Sequence, residues 1–343
     1  MLFSFRHALN RFRAVDSHVK GRTVTTGMPS EILLEITSYC NLACPMCGRG
    51  SKTTPNAFMS LDLFKSIIDQ VKSYAELVAI SGGVGEPLAH PHIGEMIGYC
   101  KAANLRCMVS TNATLLNAKK TNALLDNGLD ILILSLDGAT KETHEAIRVG
   151  SNFEQTMANV DNFLKEKVVR KLKFPITICQ MIYAPSNKDE AKQFHDRWAG
   201  TPGVNSVRIK KLLTIKGSLW SKLQKLTQMD PDAEKSCFYP WRQLAVSANG
   251  AIALCCRDHN FSYPLANLSE SSVSEIWNSQ VFQDARLRLA NKRKSEIELC
   301  VNCETFQTSF FSRMGIRMLD TYTIHTIAPA MERVASKLGL RLW

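Results

Sequence analysis

Three cysteines stand close together in the run SYCNLACPMCGRG, residues 38–50: Cys40, Cys44 and Cys47, with gaps of three and two residues. Thiolates gathered this tightly suit a metal centre better than packing. They do not close a structural zinc site, which takes four protein ligands. A catalytic zinc keeps a water on three ligands but usually recruits His or carboxylates, and no His lies near this loop. A [4Fe–4S] cubane has four irons, so three thiolates leave one iron open to a small molecule. The spacing is short enough for one loop to wrap such a cluster.

A second group lies nearer the C-terminus: Cys237, the adjacent pair Cys255 and Cys256, and Cys300 and Cys303 in CVNC. Four ligands from a hairpin and a distant CxxC make a closed site, for which zinc and a cubane are both chemically permitted. Adjacent residues of an extended hairpin point to opposite faces, so Cys255 and Cys256 do not easily serve one cubane. Cys100, Cys107 and Cys179 fall within helix or strand patterns and read as small buried hydrophobes. Eleven cysteines is an odd number for a disulfide framework.

The elements that must position these residues follow from apolar periodicity. Strands are expected at 31–37, 77–81, 106–111, 131–137, 175–184 and 204–212, with helices near 60–73, 93–104, 117–127, 153–168 and 187–199. Ser60 caps the first of these helices, where Leu63, Ile67 and Val71 repeat at helical spacing. Strand–helix alternation implies parallel strands with right-handed crossovers. Six units fit either a partial barrel or an open doubly wound sheet, with chemistry at the C-terminal ends of the strands, where the first three cysteines fall. Residues 216–236 read as a linker, and QLAVSANGAIALCC reads as a hairpin turning at Asn249-Gly250.

CNLACPMC resembles the signature of the radical SAM superfamily. That resemblance implies an α/β fold, a partial (β/α)6 TIM-type barrel over about residues 31–215. It also implies S-adenosylmethionine chelated at the open iron, reductively cleaved to a 5′-deoxyadenosyl radical that takes a substrate hydrogen atom. SGGVGEPLAHP resembles the glycine-rich motif after the second strand, where Gly82, Gly83 and Gly85 let backbone approach the cosubstrate and Glu86 accepts from its amine. STNATLL and SLDGATKETHEAIRVG resemble the third- and fourth-strand motifs. By that resemblance Ser110, Asn112, Ser135 and Asp137 face the ribose or methionine end, and Arg148 pairs with the carboxylate. His90 and His92 read as structural.

The segment 237–305 resembles the SPASM or twitch domains that follow many radical SAM cores, a small cysteine-rich α+β domain carrying auxiliary [4Fe–4S] clusters. Full SPASM domains use seven cysteines for two clusters. With no cysteine after Cys303, one auxiliary cluster is expected here, on Cys237, Cys255, Cys300 and Cys303. Cys256 is left as a candidate hydrogen-atom donor. The substrate expected first is a carbohydrate, aminocyclitol or polysaccharide or lipid-linked precursor, oxidised or epimerised. A maturase of a ribosomal peptide comes second. A non-catalytic iron–sulfur carrier comes third and fails to explain the open triad. The electron donor would be a flavodoxin or ferredoxin.

Composition agrees with a soluble chain: 343 residues, 45% hydrophobic and 21% charged, without an apolar run of 18 or a secretory signal. The expected location is the cytoplasm. The net charge of +11 comes without any basic–aromatic nucleic-acid motif, so no nucleic-acid partner is expected. Residues 1–30 form a basic amphipathic extension, with Phe5, Leu9, Phe12 and Val15 on one stripe among Arg6, Arg11 and Arg13. The tail 306–343 repeats the theme with Met331, Val334 and Leu338. Both ends are expected to pack on their own domain, with a peripheral membrane contact as the alternative.

Overall fold

The computed structural model describes residues 5–51, 55–81, 83–183, 186–211, 237–259, 261, 263–301 and 303. The linker 216–236, the tail 306–343 and Gly82 lie outside them. Six strands, β1 (Glu31–Leu34), β2 (Leu77–Ser81), β3 (Arg106–Thr111), β4 (Ile131–Ser135), β5 (Ile176–Tyr183) and β6 (Ser206–Lys211), pair in sequence order, all parallel. Crossovers are made by α2 (Leu61–Val71), α3 (Ile93–Ala102), α4 (Ala118–Asp126), α5 (Lys141–Ile147) with α6 (Phe153–Val169), and α7 (Ala191–Trp198). Ser60 caps α2, its hydroxyl accepting from Leu63 N at 3.2 Å. The short α5, capped by Thr140, is not visible in the apolar pattern.

Alternation along the strands separates two faces. Ile32, Leu34, Val78, Ile80, Cys107, Val109, Leu132, Leu134, Cys179 and Met181 join one buried core with Phe64, Ile97, Leu124, Phe163 and Trp198 from the crossover helices. The helices therefore share one face of the sheet. A doubly wound fold would place them on both, so the sheet is of the partial-barrel kind, and it does not close on itself. On the opposite, inner face a small cluster of Ile131, Ile133 and Ile178 marks the apolar floor. Cys100, Cys107 and Cys179 are buried, as expected.

The C-terminal hairpin extends the same sheet. β7 (Gln243–Val246) runs parallel beside β1, and β8 (Ala251–Ala253) and β9 (Pro264–Asn267) follow antiparallel, giving nine strands in all. Gly250 takes the left-handed turn position at φ +81°. Trp277 Nε1 donates to Gly27 O (2.8 Å), Trp241 Nε1 to Arg22 O (2.9 Å) and Arg286 Nη1 to Thr23 O (2.9 Å), so the N-terminal segment is clamped by the auxiliary half.

The N-terminal helix, α1 (Phe5–Val19), corrects the expected stripe. Its buried face holds Asn10, Arg11, Ala14, Val15, Ser17 and His18, while Phe5 and Phe12 point outward. Specific polar contacts outweigh apolar burial here. Asn10 Nδ2 donates to Met28 O (3.0 Å) and Tyr74 O (3.2 Å), and Arg11 pairs with Glu76 at 2.8 Å. These partners immediately precede β1 and β2, which puts α1 at the N-terminal edge of the sheet.

Candidate active site

The chain leaves β1 three residues earlier than the apolar run suggests, because Thr37 turns to pair with Phe58 in an isolated antiparallel bridge. Ser38 N donates to Ala57 O at 3.0 Å and Ala57 N to Ser38 Oγ at 2.9 Å, closing the neck of a loop that carries Cys40, Cys44 and Cys47. Arg49 braces the loop from within, its Nη1 donating to the carbonyls of Cys40 (2.6 Å) and Leu42 (2.8 Å). The sulfurs meet donors: Leu42 N lies 3.5 Å from Cys40 Sγ and Arg49 N 3.5 Å from Cys47 Sγ. Asn112 Nδ2 lies 3.9 Å from Cys40 Sγ, and Arg148 Nη1 3.8 Å from Cys44 Sγ. Burial pushes the Cys40 thiol up to about 11 and raises that of Cys47. Three thiols with N–H donors and two guanidiniums around them suit a cluster whose thiolates need charge balance.

The glycine-rich loop packs directly on this one. A Cβ on Gly85 would stand 1.8 Å from Thr37 O, so only glycine allows the two loops to touch. Glu86 N donates to Tyr39 O at 2.8 Å. The Glu86 carboxylate is buried and already receives Thr111 Oγ1 (2.6 Å), Leu88 N (3.0 Å) and Asn112 N (2.9 Å). It welds the second-strand loop to the third. Gly83 approaches Glu35, whose Oε2 would lie 3.0 Å from an added Cβ, and the backbone of His259.

Asp137 sits fully buried at φ +54° after β4 and pairs with Arg148 Nη2, while its Oδ1 accepts from Ile182 N at 2.6 Å. Arg148 thus has a protein carboxylate as partner, beside Cys44. Ser110 and Ser135 lie on the inner face, Ser110 in register with Ser81 and Ile133, Ser135 with Gln180. Gln180 pairs in turn with Arg208, and Ile182 with Lys210. Above its apolar floor the inner face is therefore polar. Lys210 is exposed to solvent, and the protein around it and the charge of Arg208 lower its pKa. His90 is structural, its Nε2 3.0 Å from Met59 O.

The second thiol group gathers at the opposite edge. Cys237 precedes the helix Tyr239–Arg242 that enters β7, and Cys255 follows the end of antiparallel β8, so both lie at the N-terminal edge of the sheet. Burial raises the thiols of Cys237 and Cys255 well above the ordinary range and Cys300 to about 12. Cys255, Cys300 and Cys303 add their own repulsion to Cys237, which places the four as neighbours. Cys256 is pushed up to about 11 by burial, and faces Arg257, Glu31 and the Tyr239 hydroxyl, with Cys303 a weaker influence. Among the described residues no three His, Cys, Asp or Glu side chains converge on a single-ion site. Thiolates on one zinc sit about 3.8 Å apart, whereas a cubane spreads them over its corners. An all-thiol donor set, with Cys255 buried and Cys237, Cys300 and Cys303 half-buried, fits the cluster.

Cys256 feels the charge of Glu31 at the start of β1, and three residues on His259 reaches the glycine-rich loop, where Gly83 also approaches Glu35. The ring hydrogen-bonds the Gly83 backbone, Nδ1 is buried without a partner, and burial lowers the pKa to about 4. Neither Glu35 nor His259 is marked in the sequence, because their meeting with Gly83 spans more than two hundred residues.

Comparison with known proteins places this architecture. The radical SAM superfamily matches residues 34–194, and the iron–sulfur cluster-binding SPASM domain matches residues 237–304. An AdoMet-dependent heme synthase of Methanosarcina barkeri is 34% identical over 171 residues, 49% of this chain and 47% of that protein. The mycofactocin maturase MftC of Mycobacterium tuberculosis is 30% identical over 138 residues, 40% of this chain and 35% of that protein. The matches thus take in less than half of these relatives. Among solved structures, BtrN in complex with AdoMet and 2-DOIA superposes with a TM-score of 0.55 at 20% identity, covering 82% of this chain and 95% of that one. Streptococcus suis SuiB bound to precursor peptide SuiA gives a TM-score of 0.60 at 15% identity, covering 81% and 71%. Residues 34–194 thus belong to the radical SAM superfamily and residues 237–304 form a SPASM-type iron–sulfur domain behind them, a pairing that implies a [4Fe–4S] cluster and S-adenosylmethionine in the core and an auxiliary iron–sulfur site.

Proposed function

We propose that Cys40, Cys44 and Cys47 hold the cluster that takes S-adenosylmethionine, that Cys237, Cys255, Cys300 and Cys303 hold one auxiliary cluster, and that a small polar substrate lies between them on the inner face. Bound there, reduced cluster and cosubstrate supply a 5′-deoxyadenosyl radical that takes a hydrogen atom from the substrate. The observation that carries this reading is the placement of the two thiol groups at opposite edges of one sheet. From Glu31 to Glu35 the first strand runs about 13 Å, a span that accommodates a small molecule.

The protein's own residues then divide the work. Gly83 and Gly85 bring backbone to the methionine end, and Glu86 fixes that loop against Asn112. Ser110 and Ser135 address the ribose or substrate hydroxyls. Arg148, held by Asp137, balances charge at Cys44. Ser81, Gln180, Arg208 and Lys210 offer hydrogen bonds and positive charge, which suits oxidation or epimerisation of a carbohydrate, aminocyclitol or polysaccharide or lipid-linked precursor. BtrN, crystallised with AdoMet and 2-DOIA, shares the fold. A ribosomal peptide is the second reading, favoured by the similarity to MftC.

Reduced, anaerobically reconstituted protein is expected to release 5′-deoxyadenosine, and Cys40→Ala/Cys44→Ala/Cys47→Ala to abolish it. Undiminished cleavage in that variant would end the reading, and absence of cleavage in the wild type would favour an electron carrier. Deuterium transfer into 5′-deoxyadenosine from labelled sugars or labelled peptide then separates the two substrate classes.

A further inference from the structure

The outward face of α1 carries a pattern the site does not use. Phe5 is 83% exposed, Phe12 55% and Val19 63%. Seven-residue spacing brings each nearly over the last, so they form one line along the helix. Arg6, Arg13 and Lys20, all exposed, repeat at the same spacing one position on. Lys20 shares its charge with Asp16 at 2.7 Å. Arg6 and Arg13 have no acidic partner among the described residues. A single exposed aromatic needs no explanation, but a line of apolar residues with a cation beside each does.

The helix is not free to turn this line inward. Its other side is fixed by Asn10 and Arg11, and by His18, whose ring meets Phe238 and Trp241 edge-on at 5.1 and 4.8 Å. The stripe is one residue wide, too narrow for an apolar groove and suited to shallow insertion between headgroups. The cations beside it complement negative charge, and the whole chain carries +11.

We propose that α1 docks the protein on an anionic membrane surface, Phe5, Phe12 and Val19 entering the interface while Arg6 and Arg13 bind lipid headgroups. Because α1 lies at the N-terminal edge of the sheet, docking turns that edge to the bilayer. The loop of Cys40, Cys44 and Cys47, at the opposite edge, stays open to water. The proposal is independent of which substrate the enzyme takes.

The test is co-sedimentation of full-length, cluster-loaded protein with vesicles of phosphatidylcholine alone or with about a third phosphatidylglycerol. Wild type is expected to bind the anionic vesicles selectively, and less so at high salt. Phe5→Ser/Phe12→Ser and Arg6→Gln/Arg13→Gln should each weaken binding at least about tenfold. Both should keep wild-type iron content and 5′-deoxyadenosine formation, since these side chains point away from the fold. No binding, equal binding to neutral vesicles, or wild-type binding by either variant would overturn the proposal. Self-association that disappears in the Ser variant, without vesicle binding, would assign the stripe to a protein interface instead.

Discussion

His259 shows what a single residue contributes beyond its position in sequence. Its ring is held against the Gly83 backbone with Nδ1 buried and unpartnered, which favours the neutral form and lowers the pKa from 6.5 to about 4. In the unfolded chain the group binds its proton near pH 6.5. Between pH 6.5 and 4 the unfolded state therefore holds more protons, and folding stability falls as pH is lowered through that window. The full effect is about 3 kcal/mol, at about 1.4 kcal/mol per unit. His259→Asn should flatten the dependence of unfolding free energy on pH in that window relative to wild type. Equal slopes would show that His259 does not titrate this way. The cysteines were legible because metal ligation fixes residue type and local spacing at once. His259 and Glu35 were not, since a side chain brought to a site by a loop crossing the sheet leaves no periodic trace.

At the scale of elements, β8 ends at Ala253 and both adjacent thiols stand in the turn beyond it. Strand alternation therefore does not separate them, and the proposed assignment of Cys255 as ligand rests on their neighbours. Cys255 feels Cys256, Cys300 and Cys303 and itself acts on Cys237, whereas Cys256 feels Arg257, Glu31 and the Tyr239 hydroxyl ahead of Cys303. Cys255→Ala should drop bound iron from about eight atoms to about four, the content of one cubane, while Cys256→Ala keeps about eight. Iron analysis with Mössbauer spectroscopy reads both, and the reverse pattern would exchange the assignments. If Cys256 is a hydrogen-atom donor, its Ala variant still forms 5′-deoxyadenosine but fails to complete an inverted or reduced product. The six core strands and their main crossover helices were legible because buried parallel strands read as apolar runs and their helices as amphipathic repeats. The stripe expected to bury α1 holds at Val15 but not at Phe5 and Phe12, because Asn10 and Arg11 find distant partners that turn the helix. That competition is invisible to periodicity.

The two sequence-level units behave as one body in the molecule as a whole. β7 continues the core sheet at β1, and Arg242 Nη2 pairs with Glu31 at 2.6 Å across that seam. Residues 22–27, which precede the core, are held by Trp241, Trp277 and Arg286 of the auxiliary half. Without the hairpin, β1 would expose an unpaired edge. Trp277 tests this coupling, since its ring is fully buried against Phe282 and Arg286 and its Nε1 is bonded to Gly27 O. Trp277→Ala removes that packing and leaves the Gly27 carbonyl with the longer bond from Thr25 Oγ1 (3.2 Å), a loss of about 3–5 kcal/mol for a large core aromatic. The core has its own reporter in Trp198 of α7, buried on the far side of the sheet. If the halves form one cooperative unit, Trp277→Ala shifts the Trp198 fluorescence transition and the loss of auxiliary-cluster absorbance by the same amount in denaturant. A Trp198 transition that stays at its wild-type midpoint while the auxiliary cluster is lost early would show two independent domains on one chain.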